Sequence, residues 1–225
     1  MLKLVEFELK KIFARRSVQL ALAAVLLLSV LLGVSGYLNM YAFDGKSQEG
    51  RGGEAVRIDK EVAARYAGWL TDEKVQQMLA DMQLQGDLHC LNPVYLYQNA
   101  MQSALFVRFV DLDAGWNGQT VAGVFGVEPI KIGYILGWLT SSQNLVKALV
   151  ALALAIIIML APVFAGEYEG VNNLILTSRR GPQAGCLAKI IAALLAAVGV
   201  TLLTLAVNLG LALALYGTEG LDCSI

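Results

Sequence analysis

The sequence predicts an all-α membrane protein: three transmembrane helices preceded by an interfacial amphipathic helix, with a small, mostly helical extracytoplasmic domain between spans one and two. Three observations predict it. The chain is 57% hydrophobic and only 16% charged, against about 45–50% apolar and about 25% charged in a soluble domain. The charges are absent from Ser17–Phe43, Ala148–Gly166 and Ile190–Thr218. A helix needs roughly 20 apolar residues to cross a hydrocarbon core of about 30 Å, and each of these stretches meets or nearly meets that length. The third observation is the placement of Lys and Arg. Lys3, Lys10, Lys11, Arg15 and Arg16 precede the first stretch, and Arg179, Arg180 and Lys189 fall between the second and third. The positive-inside bias then puts the N-terminus and the later loop on the cytoplasmic side of a cell membrane.

Residues 1–16 form the cytoplasmic interfacial segment. Leu2, Val5, Leu9, Ile12 and Phe13 recur at helical spacing, with Phe7 as an outlier and charged residues elsewhere. That is an amphipathic helix suited to lying in the headgroup region and contacting membrane lipid. The first span occupies 17–43, its helix running over Val18–Leu38, with Tyr37 and Tyr41 where an aromatic belt would mark the far interface. The uncharged run is too long for a signal-peptide core of about 7–15 residues, so a retained helix is expected.

Residues 44–131 are a different material, with twelve Asp/Glu and eight Lys/Arg, and form the extracytoplasmic domain. Asp44–Gly53 reads as a linker. Glu54–Gly68 and Thr71–Gln85 read as helices, the second with Thr71 as N-cap, Asp72 and Glu73 in its first turn, and an apolar stripe of Val75, Met78, Leu79 and Met82. Tyr95–Val110 reads as a third helix and Asp113–Gly126 as a Gly-rich loop. Residues 132–144 are too short for a span before Ser141–Asn144 and read as an interfacial or re-entrant segment. The second span follows at 145–166, with Lys147 near its outer end to snorkel and Pro162 as a kink near its inner end. Residues 167–186 are a cytoplasmic loop, 187–217 the third span and 218–225 an extracytoplasmic tail. Thr201, Thr204 and Asn208 are spaced three and four apart on the third span and share one face. That face is expected to pack against protein through side-chain hydrogen bonds, with a substrate path as the alternative. Ser29-x-x-x-Gly33 and Ala193-x-x-x-Ala197 are small-residue spacings of the same kind.

Several kinds of chemistry are excluded. A net charge of −1 and the lack of a basic patch with interleaved aromatics argue against a nucleic-acid partner. Cys90, Cys186 and Cys223 have no metal-ligand spacing and read as free thiols, although Cys90 and Cys223 could pair if both face outward. His89 beside Cys90 is more simply incidental than a ligand. Gly45-Lys46-Ser47 mimics the end of a phosphate-binding loop, but the glycine the motif requires five residues earlier is Met40. No catalytic, cofactor or metal residue is therefore expected in this chain, and it is not expected to be an enzyme. A membrane-anchored sensor or binding module without transport activity is the alternative reading.

The stretch Phe164–Lys189, FAGEYEGVNNLILTSRRGPQAGCLAK, is the informative one. An apolar helix runs into Glu167, Tyr168 and Glu169. A short amphipathic piece follows, then arginines and a turn. In order and spacing, with the basic amphipathic lead-in, this resembles the membrane (permease) subunit of a type-2 ABC exporter. The resemblance covers the N-terminal helix and residues 145–216. Carried over by position, Glu167, Glu169 and Gly170 match the acidic start of that family's coupling loop. Leu174 and Leu176 match its short helix, and Thr177, Ser178 and Arg179 its end, with Arg180 alongside. Val171 and Pro182 depart from the family pattern. The resemblance implies that this loop docks on a separate ATP-binding cassette subunit, which would carry the ATP and Mg. Such subunits usually have six spans and this chain has three. The expectation is therefore the N-terminal three-span half, truncated or naturally half-length, pairing with a second permease chain or the missing C-terminal half.

Overall fold

Three long helices dominate the computed structural model, which describes residues 1–43, 48–83, 108–111, 115–164 and 181–223. They are α2 (Arg16–Leu38), α6 (Leu136–Phe164) and α7 (Gly181–Tyr216). All three are long and apolar enough to cross a membrane; at 1.5 Å per residue even α2 reaches about 35 Å. The protein is mostly helical, with three candidate spans, as a multi-pass membrane protein would be. It divides into two compact units. The first combines Met1–Gly33 with Gln143–Leu211, and the second Val34–Ser142 with Ala212–Ile225.

The first unit begins with α1 (Leu2–Phe13). Val5, Glu8 and Ile12 are buried and Leu9 half-buried, so the inward stripe follows the expected three-and-four spacing. Leu2 and Phe13, expected in that stripe, are instead exposed beside it, and Leu4 and Phe7 are exposed on its other side. Lys3, Glu6 and Lys10 share the remaining face, where Lys10 and Glu6 form an ion pair at 2.7 Å. The chain breaks helix at Ala14–Arg15 and restarts as α2, whose buried residues Val18, Val25 and Ser29 lie in one stripe. Val5, Ile12, Val18 and Val25 join Leu152, Ala155, Met159 and Val163 of α6 and Ala188, Ala192, Ala196 and Val200 of α7 in one core. The α7 contribution repeats every four residues and is mostly alanine. Small side chains let helix backbones approach closely, which matters most where lipid removes any hydrophobic drive between helices.

The second unit holds the shorter elements. Strands β1 (Tyr41–Phe43) and β2 (Glu49–Arg51) pair antiparallel, Tyr41 opposite Arg51. Gly52 turns the chain with φ +59 and leads into α3 (Gly53–Tyr66). Strand β3 (Gly68–Trp69) pairs with β6 (Lys131–Ile132), and β4 (Val110–Asp111) with β5 (Gly115–Trp116). Between them lie α4 (Asp72–Gln83) and the short α5 (Val121–Phe125). Thr71 caps α4 by accepting the Lys74 amide at 3.2 Å, and Asp72 Oδ1 accepts the Val121 amide at 2.6 Å. Two apolar clusters form. One gathers Met40, Ala42, Ala55, Val56, Ile58, Val62, Ala63, Tyr134, Ala212 and Tyr216. The other gathers Tyr66, Leu70, Val75, Met78, Phe109 and Ile132.

The differences from expectation are local. Three short antiparallel ladders accompany the helices, because strands of two or three residues are too short to show alternation. Val110, assigned by pattern to a third helix, is in β4, and most of that predicted helix, Tyr95–Val110, lies outside the described residues. The Gly-rich stretch 113–126 contains β5 and α5. Helix α6 begins at Leu136 and passes through Ser141–Asn144 unbroken. Two hydroxyls here turn back onto carbonyls of their own helix: Thr140 donates to Leu136 O at 2.9 Å and Ser142 to Leu139 O at 2.8 Å, which satisfies them without ending the helix.

Candidate functional site

The predicted docking residues Glu167, Glu169, Gly170, Leu174, Leu176, Thr177, Ser178, Arg179 and Arg180 lie outside the described residues, as do His89, Cys90 and Gly45–Ser47. What the structure describes is the frame of the loop, α6 ending at Phe164 and α7 starting at Gly181. The end of α6 is tied down. Arg15 Nη2 donates to the Pro162 carbonyl at 3.3 Å. The last carbonyls of a helix have no intrahelical partner, and a cation there also complements the helix dipole. One side chain in the break between α1 and α2 therefore reaches the last turn of α6.

The polar face of α7 is described. Thr204 is buried and Thr201 and Asn208 are half-buried. Thr201 donates to Ala197 O at 2.8 Å and Thr204 to Val200 O at 2.9 Å, so both hydroxyls are spent within their own helix. Asn208 alone reaches across: its amide donates to the fully buried Ser29 hydroxyl of α2 at 3.2 Å as well as to Thr204 O at 2.8 Å. Asn144 of α6 likewise donates to the Leu32 carbonyl of α2 at 3.0 Å. Lys147 Nζ is 3.5 Å from Asn144 Oδ1. These bonds join helices within the first unit.

A second polar cluster, not singled out by sequence, lies in the second unit. Asp59 of α3 is 2% exposed, and its Oδ1 has no hydrogen-bond partner among the described residues. Burial pushes its carboxyl from the ordinary 3.8 to about 7. Tyr134 is buried in the same apolar cluster, and its acidity is weakened first by burial and then by the nearby Asp59. Neither the Tyr134 nor the Tyr216 hydroxyl makes a well-aligned hydrogen bond among the described residues. Gly137 makes room for both: a Cβ there would stand 2.6 Å from the Tyr134 hydroxyl and 2.5 Å from the Tyr216 ring. Tyr37 meets Tyr216 edge-on at 6.0 Å between ring centroids.

The segment after α7 closes over this cluster. Gly217 ends the helix with φ +80, its amide bonded to Leu213 O at 3.0 Å, an αL termination that glycine favours. Trp138 Nε1 then donates to Glu219 O at 2.9 Å. The Glu219 carboxylate meets Lys60 at 3.3 Å, and Lys60 Nζ lies 5.4 Å from the Tyr134 ring centroid. Lys131 and Asp222 form an exposed ion pair. Their mutual hydrogen bond raises the lysine pKa and lowers that of the carboxyl. Cys223 is half-buried and free. Sequence reasoning missed this cluster because Asp59 sits among Arg57, Lys60 and Glu61 and reads as one more solvated helix charge. Among the described residues no group of three or more His, Cys, Asp or Glu could hold a metal ion. No family model, curated protein or solved structure matches the chain at a significant level.

Proposed function

We propose that this chain is a transmembrane permease subunit of an ATP-driven exporter of the type-2 ABC kind. In this reading its N-terminus is cytoplasmic in the cell membrane, and the ATP and Mg chemistry belongs to a separate subunit. One observation carries the reading. A basic amphipathic helix precedes three long apolar helices, and a charged segment with the pattern Glu167-Tyr168-Glu169-Gly170 … Thr177-Ser178-Arg179-Arg180 separates the last two. Two structural details support it. Helix α1 shares its buried residues with the three long helices instead of standing apart. Arg15 holds the α6 carbonyl two residues from that helix's end, so force on the 165–180 loop would reach the α1–α2 break directly. Nucleotide-driven motion of the partner would then move largely rigid helices.

The test is co-purification of an ATP-binding subunit with the full chain, and stimulation of its ATPase. Reversing Glu167, Glu169, Arg179 and Arg180 together is expected to abolish both, with expression and membrane insertion unchanged. Retention of both would remove the docking role.

A second reading, a membrane-anchored sensor or binding module, draws support from the second unit, which has two apolar clusters of its own. It predicts that scrambling 167–180 leaves function intact.

A further inference from the structure

The second unit encloses an acid, Asp59, that no described residue neutralises. Asp59 is almost fully enclosed, and no Lys or Arg among the described residues pairs with it. Tyr134, in the segment ahead of α6, is close enough for the two to interact electrostatically. Tyr216 joins the same apolar cluster from α7, and Tyr37 from the end of α2 packs on Tyr216. Its helix neighbour Lys60 is committed to Glu219 and to the Tyr134 ring. An unpaired ionised carboxylate is among the costliest groups to bury, whereas a neutral carboxyl costs far less. We propose that a proton on Asp59 is a latch: while it is bound, α3 stays packed on Tyr134, Tyr216 and the turn through Glu219, and its loss lets α3 and that turn part.

The sign follows from linkage. The packed state keeps a proton that the parted state, with an ordinary carboxyl, releases. The packed state is therefore unpenalised below about pH 4, weakens as pH rises from about 4 to about 7, and stays weakened above that. The latch is independent of the exporter reading and of the direction in which the chain crosses a membrane.

The chain carries its own reporter, because the Trp138 indole bonds to the Glu219 carbonyl inside this assembly. The full chain in lipid nanodiscs, with Trp69→Phe and Trp116→Phe, leaves Trp138 as the only tryptophan. Its emission is expected to shift to the red as pH rises between about 4 and about 7. With Asp59→Asn it should stay at its low-pH position throughout. A wild-type emission flat with pH, or the same transition surviving in Asp59→Asn, would overturn the latch. Should the variant fail to fold, amide-exchange protection of α3 in the unmutated chain decides. It should fall roughly tenfold or more from about pH 4 to about pH 8, after correction for intrinsic exchange, and constant protection rejects the latch.

Discussion

At the scale of the residue, backbone geometry separates glycines that the composition cannot. Gly220 has φ +83, and a Cβ there would stand 1.7 Å from the Tyr134 carbonyl oxygen. Gly118 has φ +77 with open space around it. Gly118→Ala is expected to cost about 1–2 kcal/mol, the left-handed penalty alone. Gly220→Ala adds a clash with backbone that cannot rotate away, and is expected to cost more and to release the Trp138–Glu219 bond. Thermal unfolding of both variants in detergent checks the ranking, and equal losses would contradict it. Asp59 and Asn208 show the same gap between type and place. Both are single polar letters in the sequence. Only packing distinguishes the Asp59 carboxyl, enclosed among apolar neighbours, from Glu61 beside it, which is paired with Arg57 at 2.7 Å in the open.

At the scale of the element, the three long helices were legible because absence of charge over 19 to 29 residues is a signal that no local detail obscures. Their limits were less so. The run Ser141–Asn144 looks like a break, yet α6 continues through it, with Ser142 and Asn144, like Thr140 before them, each donating to a carbonyl. Which side of the first half of α7 is buried was also illegible, since alanine and leucine are spread around that part of the helix. The structure selects Ala188, Ala192 and Ala196, with Val200 and Thr204 continuing the four-residue ridge. The small-residue spacing noticed in the sequence, Ala193 and Ala197, lies one residue off that ridge; Ala193 is buried at its edge and Ala197 only partly. Ala192→Leu should therefore overpack the helix contact and cost about 1–3 kcal/mol. Leu195→Ile, on the exposed side, should change stability by less than about 0.5 kcal/mol. Unfolding in mixed micelles measures both, and a neutral Ala192→Leu would rule out this packing face.

At the scale of the whole molecule, the proposed orientation makes a direct prediction from two thiols. Cys186 is exposed near the start of α7 and Cys223 lies beyond its far end; both are free. If the N-terminus is cytoplasmic, a membrane-impermeant maleimide added outside intact cells should label a chain retaining only Cys223. A chain retaining only Cys186 should react after lysis alone. The reverse pattern would invert the topology and place the 167–180 segment beyond the reach of an ATP-binding partner.

Taken by itself, the sequence determined that three helices of this chain are long and apolar enough to cross a membrane and that an amphipathic helix precedes them. Both follow from composition and period, which are properties of neighbours along the chain. Tertiary structure decided what depends on neighbours in space. It brought Arg15 to the carbonyl of Pro162, joined Asn208 to Ser29, and folded the described part, 218–223, of the tail expected at 218–225 back onto Tyr134 and Trp138. It also enclosed Asp59. The cost of a charge depends on whether water or a partner reaches it, and neither condition is written in the residues beside it.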